Sequence, residues 1–205
     1  MGRCILVGAA KINSKIEVFA SDFIIAADGG YATLCKQNIA PNLIIGDFDS
    51  LDTELPSGIE RITYPAEKDD TDMRLAYLEG KKRGYTDFVI IGGAGGRIDH
   101  TLANFSLMLE IAESGGTAVL VADDFDAHIL TSGELHLPAR DSGTVSVFAI
   151  GGDASGVSVK GLKYSASDIT LKESFALGVS NSFIGNAAKI SVERGKILAI
   201  IGKGY

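Results

Sequence analysis

The chain has 205 residues, 46% of them hydrophobic, and a formal net charge of -7. That is enough apolar material for a substantial core in one large domain or two small ones. An acidic balance argues against a nucleic-acid surface, which needs clustered Lys and Arg. No apolar run approaches the roughly 20 residues needed to cross a bilayer, so neither nucleic acid nor membrane is an expected partner, and a cytoplasmic location is expected. Cys4 and Cys35 lack metal or redox spacing and read as two buried thiols in a reducing compartment.

Arg3 to Ala10 is an unbroken apolar run ending in small residues, the pattern of a strand buried on both faces of a parallel sheet rather than of a leader peptide. Phe23 to Ala27 repeats the form and stops at Asp28-Gly29-Gly30, after which Tyr31 to Gln37 has helical composition. Leu43 to Gly46 is a third strand, placing Asp47 and Asp49 two residues apart and so on one side of an extended chain. Asp69, Asp70 and Asp72 precede a helix expected from about Asp72 to Arg83, with Gly84 as its stop. Phe88 to Ile91 is a strand that runs into Gly92-Gly93-Ala94-Gly95-Gly96-Arg97-Ile98-Asp99-His100. A helix from about Thr101 to Glu113 and a strand from Thr117 to Ala122 follow. Alternation of this kind specifies a mostly parallel sheet with flanking helices, Rossmann-like in type.

After about Thr131 the texture changes to short Val- and Ile-rich segments separated by Gly, Ser, Asp and Asn: 144–150, 156–160, 169–172, 188–193 and 197–201. Arg194-Gly195 reads as a tight hairpin between the last two. The expected architecture is therefore an α/β domain over 1–131 and a small all-β sandwich over 132–205.

In an open α/β sheet, ligands bind beyond the carboxyl ends of the strands. Asp28, Asp47, Asp49 and the glycines at 92–96 all fall there. Accessible backbone N–H groups and a helix N-terminus favour phosphate at the glycine turn, and Arg97 adds a charge-assisted contact. Crowded carboxylates raise one another's pKa unless a cation sits among them, and oxygen ligands without His or Cys select Mg²⁺ or a similar ion. Each feature also has a plain structural explanation: Asp28-Gly29-Gly30 as a turn, Asp69, Asp70, Asp72 and Asp99 as helix caps, and His100, His128 and His136 as ordinary surface or hydrogen-bonded residues. Their conjunction at one sheet edge points to phosphoryl-type transfer from a nucleotide.

With these residues in view, the chain resembles the bacterial thiamine pyrophosphokinases. The likeness is carried by Ala27-Asp28-Gly29-Gly30, Gly46-Asp47-Phe48-Asp49-Ser50, Lys68-Asp69-Asp70-Thr71-Asp72, and Gly96-Arg97-Ile98-Asp99-His100 with Asn104 one helical turn on. Gly161-Leu162-Lys163-Tyr164 and Gly178-Val179-Ser180-Asn181-Ser182 extend it to the C-terminal part. Ile98 and Tyr164 stand where relatives often have an aromatic residue and Trp, respectively.

The resemblance implies transfer of the pyrophosphoryl group of ATP to the thiamine hydroxyl, with Mg²⁺, giving thiamine diphosphate and AMP. It implies Asp47, Asp49, Asp72 and Asp99 as catalytic residues, with Asp47, Asp49 and Asp72 on the metal. Asp28, Gly29, Gly30, Gly95, Gly96 and Arg97 would hold ATP and its phosphates. Ser180 and Asn181 would reach thiamine from the partner chain of a homodimer. The residues alone leave three rivals open: a magnesium-dependent kinase or nucleotidyl transferase for another small alcohol, a nucleotide- or metal-binding regulatory module, and a structural protein whose aspartates cap helices.

Overall fold

The computed structural model describes residues 2–47, 58–65 and 69–204. They form two compact units, one extending to Ile111 and from Gly115 to Asp123, the other holding Ala112–Ser114 and the described residues from Asp124 on.

The first unit contains β1 (Cys4–Val7), β2 (Phe23–Ala27), helix α1 (Gly30–Lys36), β3 (Leu43–Gly46), β4 (Glu60–Thr63), α2 (Asp72–Lys82), β5 (Asp87–Ile91), α3 (Ile98–Glu113) and β6 (Thr117–Val121). Its strands lie in the order β6-β5-β1-β2-β3-β4, and every neighbouring pair is parallel. Alternate residues serve opposite faces. Ile5, Val7, Ile24, Ala26, Ile44, Val89 and Ile91 cluster with Tyr31 and Leu34 of α1. The intervening Cys4, Leu6, Ile25, Leu43, Ile45, Phe88 and Ile90 are equally buried, and Tyr77 of α2 meets Phe88 edge-on at 5.1 Å between ring centroids. Both faces being covered is why these segments read as continuous apolar runs, each buried Leu or Ile contributing about 1.5–3 kcal/mol.

Local chemistry sets the helix ends. The Thr71 hydroxyl accepts a hydrogen bond from the Arg74 N–H at 3.2 Å and caps α2. Gly84, at φ +88°, ends the same helix. Within it, a Cβ on Gly80 would lie 2.9 Å from both Cys4 Sγ and the Phe88 ring, so a residue that weakens helices is kept because α2 presses on the sheet there. Helix α3 begins at Ile98, three residues before the expected start, because the left-handed glycines at 95 and 96 end just ahead of it. Strand β4 escaped the sequence reading: it is an edge strand whose Glu60, Arg61 and Thr63 are exposed, and it carries no apolar run.

From β1 the chain steps through β2 and β3 to β4, then returns past β1 to add β5 and β6 on its other side. Strand order therefore reverses between β1 and β5, the place where α/β sheets open a crevice.

The second unit contains β7 (Phe125–Leu130), β8 (Gly133–Leu137), β9 (Thr144–Ala149), β10 (Ala154–Lys160), β11 (Ala166–Leu171), β12 (Gly178–Ser182), β13 (Ala188–Val192) and β14 (Ile197–Gly202). They pair antiparallel in the orders β12-β9-β14-β7 and β11-β10-β13-β8. Residues of both groups, among them Val145, Val157, Ile190 and Ile197, share one buried cluster. Two sequence expectations are revised. Arg194-Gly195 is not a hairpin, since β13 pairs with β10 and β8 while β14 pairs with β7 and β9, so the chain changes sheets there. Cys35 of α1, expected to be buried, is exposed. Strand β7 pairs with β14 along its whole length and belongs to this unit.

A Cβ on Gly30 would stand 1.9 Å from the Val7 carbonyl oxygen, where α1 starts against the end of β1. Gly30→Ala is expected to lower unfolding stability by about 1–3 kcal/mol, read from a urea titration at unchanged m-value.

Candidate active site

A cavity of about 340 Å³ opens at the reversal point, lined within the first unit by the ends of β1, β2 and β5, the start of α2 and the first turns of α3. The pairing of β1 with β5 continues past both strands: Gly8 N–H donates to the Ile91 carbonyl at 2.8 Å and Ala10 N–H to that of Gly92 at 3.1 Å. Gly92 is left-handed at φ +64°, and a Cβ there would lie 2.5 Å from the Gly8 carbonyl oxygen. Only glycine meets both demands.

Gly95 and Gly96 are also left-handed, at φ +92° and +73°, with open space where a Cβ would be. Backbone conformation, not crowding, selects glycine here, and it leaves the turn's amides uncovered. The turn is anchored from behind: the buried Asn104 side chain donates to the Gly93 carbonyl at 2.6 Å. At its far end Arg97 pairs with Asp99, Nε–Oδ1 at 3.1 Å and Nη2–Oδ2 at 2.5 Å. The guanidinium holds the exposed Asp99 carboxyl below the usual carboxylate range.

The acidic side comes from two strands and a helix. Asp28 sits at φ +46°, and its N–H donates to the Ile45 carbonyl at 2.7 Å, extending the β2–β3 register. A Cβ on Gly46 would come within 3.2 Å of Asp28 Cα, so Asp28 and Asp47 belong to neighbouring strand ends. Asp28 and Asp72 line the same cavity. Asp72 occupies the first turn of α2, while capping falls to Thr71. Asp70 instead pairs with Arg74 at 2.6 Å, and Arg74 grips Glu110 of α3 at 2.8 and 3.0 Å, tying together the two helices that deliver groups to the cavity.

Of the residues expected from sequence, Asp28, Asp72, Gly95, Gly96 and Arg97 line this cavity. Gly29 and Gly30 pack against Ala9 and Val7 and serve the approach of α1 to β1. Asp49 lies outside the described residues. Among those described, no group of three or more His, Cys, Asp or Glu is close enough together to hold a metal ion. Gly8, Ala9, Ala10, Thr71, Met73 and His100 also line the cavity and were not selected as site residues from sequence. For 8–10 the available signal was the run of small residues after β1; for His100, its place in the first turn after the glycines.

In the second unit, a separate cavity of about 330 Å³ is walled mostly by aliphatic side chains, with Tyr164, Gly178 and Asn181 among its lining. Ser180 is left-handed at φ +62°, its N–H bonded to Ser146 Oγ at 3.1 Å. The Asn181 amide is engaged with backbone: Oδ1 accepts from Tyr164 N–H and Ser182 N–H, both at 2.9 Å, and Nδ2 donates to the Tyr164 carbonyl at 2.6 Å. It thereby holds the segment carrying the exposed Tyr164 ring.

The profile of the thiamin pyrophosphokinase catalytic domain matches residues 16–120, and that of the family's vitamin B1 binding domain matches 133–197. The chain belongs to the thiamin pyrophosphokinase family. Its reaction is pyrophosphoryl transfer from ATP to thiamine, making thiamine diphosphate. A thiamine pyrophosphokinase of Bacillus subtilis (strain 168) is 27% identical over 183 residues, covering 86% of this chain and 85% of its own. Thiamin pyrophosphokinase 1 of Caenorhabditis elegans is 26% identical over 170 residues, covering 77% and 70%. Among solved structures, Bacillus subtilis thiamine pyrophosphokinase has a TM-score of 0.88 at 22% identity, covering 99% of this chain and all of its own. A thiamin pyrophosphokinase family protein from Enterococcus faecalis has a TM-score of 0.83 at 28% identity, with both chains fully covered.

Arg74→Met removes the link between Asp70 and Glu110 without changing a cavity residue. The expected cost is about 1 kcal/mol of stability, since the pair is part-exposed, with about a tenfold loss of kcat/KM. Steady-state kinetics beside thermal melts check both.

Proposed function

We propose that the cavity of the first unit is where ATP is held for transfer to thiamine, in a Mg²⁺-dependent reaction in which a second copy of the chain supplies part of the thiamine site. The observation that carries this is the meeting of Asp28, Asp72, the Gly95-Gly96 turn and Arg97 in one cavity at the point of strand-order reversal. The first unit acts as a Rossmann-like catalytic domain and the second, β7 included, as a β-sandwich for thiamine.

In this proposal the uncovered amides of the glycine turn and the Arg97 guanidinium bind ATP phosphate oxygens. The thiamine hydroxyl oxygen forms a bond to the β-phosphorus, the bond from that phosphorus to the α,β-bridging oxygen breaks, and AMP leaves. The hydroxyl proton passes to a carboxylate of the site. Carboxylate donors suit a hard divalent cation, and Asp47, Asp49 and Asp72 would hold it. When bound, magnesium neutralises phosphate charge. Asp99, released from Arg97 as that side chain turns to phosphate, completes the polar rim. Gly29 and Gly30 support the nucleotide side by keeping α1 against β1.

Ser180 and Asn181 stand on β12, beside exposed Tyr164, Leu177 and Val179 at 62%, 56% and 44% of their full accessibility. An apolar edge of this kind suits a homodimer contact. Two free cysteines fit a cytoplasmic setting, and no helix among the described residues is long and apolar enough to cross a membrane.

Incubation of the purified chain with ATP, thiamine and Mg²⁺ is expected to yield thiamine diphosphate and AMP in equal amounts, with product lost on addition of EDTA. ADP in place of AMP would refute pyrophosphoryl transfer. Asp72→Asn should retain its melting temperature and lose about 10²–10³ in kcat. For the dimer, sedimentation is expected to give two chains per particle, and Val179→Asp one; an unchanged monomer in both would refute the shared site.

A further inference from the structure

The connection from β1 to β2, residues 8–22, contains neither helix nor strand. Its first three residues, Gly8 to Ala10, form a wall of the cavity. The next stretch runs to Asp123, two residues beyond β6: Asn13 N–H lies 3.0 and 2.9 Å from the two carboxylate oxygens, Ser14 N–H 2.9 Å from Oδ1, and Asn13 Nδ2 2.7 Å from Oδ2. Strand β5 lies between β1 and β6. The segment therefore crosses the carboxyl end of β5, where the glycine turn begins. Spanning two inter-strand spacings takes about 10 Å, which three extended residues, 11–13, supply with no slack.

Further on, the strap is held by other groups. Ile16 is buried, its N–H donates to Gln37 Oε1 at 2.8 Å, and Gln37 Nε2 donates to the Ser14 carbonyl at 3.0 Å. Ile12 packs on the same cluster as Ile16. Asp123 is thus the polar anchor on the β6 side, and its loss frees the crossing without unseating the rest of the connection.

We propose that Asp123 is a positioning residue for the nucleotide: its carboxylate pins the strap over the end of β5 and so keeps the Gly8–Ala10 wall of the cavity in place. This rests on the assignment of that cavity to ATP. The N–H donors of Asn13 and Ser14 hold the carboxyl at about 2, so it stays ionised and accepts all of these bonds throughout the pH range of an assay. An irregular connection of 15 residues has little backbone pairing of its own, so a single charge-assisted anchor has a large effect on its order.

The test uses the full chain. Asp123→Ala is expected to raise KM for ATP about tenfold while KM for thiamine and kcat stay within about threefold. Trypsin cleavage after the exposed Lys11 and Lys15, followed by mass spectrometry, should quicken about fivefold or more, and the ATP concentration that protects these sites should rise in step with KM. Asp123→Asn, which keeps one acceptor oxygen, should fall between the two, and it carries the same test if the alanine variant does not fold. An unchanged KM for ATP in a folded variant overturns the proposal even if cleavage quickens. So does a parallel change of both KM values and kcat that tracks the melting temperature, which would mark general structural support. Arg97→Gln separates the two levels: no effect on KM for ATP there removes ATP from the cavity altogether, whereas a response to Arg97→Gln without one to Asp123→Ala sinks only the role of Asp123.

Discussion

The carboxyl ends of β1 and β5 lie closer together than any side chain would permit, and much of the first unit depends on that contact. Gly8 and Gly92 face each other with no room for a Cβ on Gly92, and two backbone hydrogen bonds carry the pairing on to Ala10. Strand order reverses between these two strands, the position at which an α/β sheet opens a crevice. One side becomes the strap toward Asp123, the other the glycine turn that opens α3. A larger residue at 92 would push the strand ends apart and displace both walls together. Tightness at the base of the cavity and openness at its mouth are thus two results of one arrangement.

Gathering carboxylates at such an edge is electrostatically unfavourable, and the fold manages it by tying each contributing element down elsewhere. Asp28 is carried on a left-handed residue whose N–H is bonded into the β2–β3 pairing. Asp72 rides on a helix capped by Thr71 and tied to α3 through Arg74, with Asp70 and Glu110 as the counter-charges. Asp99 is neutralised by Arg97. The acidic stretch is therefore not uniform: some aspartates stabilise the scaffold, and others, Asp28 and Asp72, line the cavity.

The second unit solves a different problem. Its core is closed by aliphatic residues from both groups of strands, yet Val179 on β12 and Leu177 just before it stay exposed beside Tyr164. The side chain of Asn181 spends hydrogen bonds on the Tyr164 backbone and so fixes the segment that carries that ring. An apolar edge next to a fixed aromatic ring sets this unit apart from the acidic one, whose cavity is lined by carboxylates, glycines and Arg97.

Much was legible without coordinates. Segments buried on both faces must be apolar throughout, so β1, β2, β3, β5 and β6 announced themselves, and the short Val-rich segments after Thr131 declared a separate all-β part. Asp28, Asp72, Gly95, Gly96 and Arg97 were legible because their types are unusual at the end of a strand or start of a helix. Edge strand β4 was not, since an exposed strand needs no apolar pattern, and neither was the sheet change at Arg194-Gly195, where a turn looks the same whether the chain returns to its neighbour or leaves for another sheet. Composition and spacing determined which residues have the chemistry for phosphate and cation. Only the tertiary structure decided that Gly8 to Ala10 and His100 share their cavity, and that Asp123, 110 residues from Asn13, holds its wall. Those relations depend on the order of strands across the sheet, which is fixed by long-range packing and leaves no local mark on the chain.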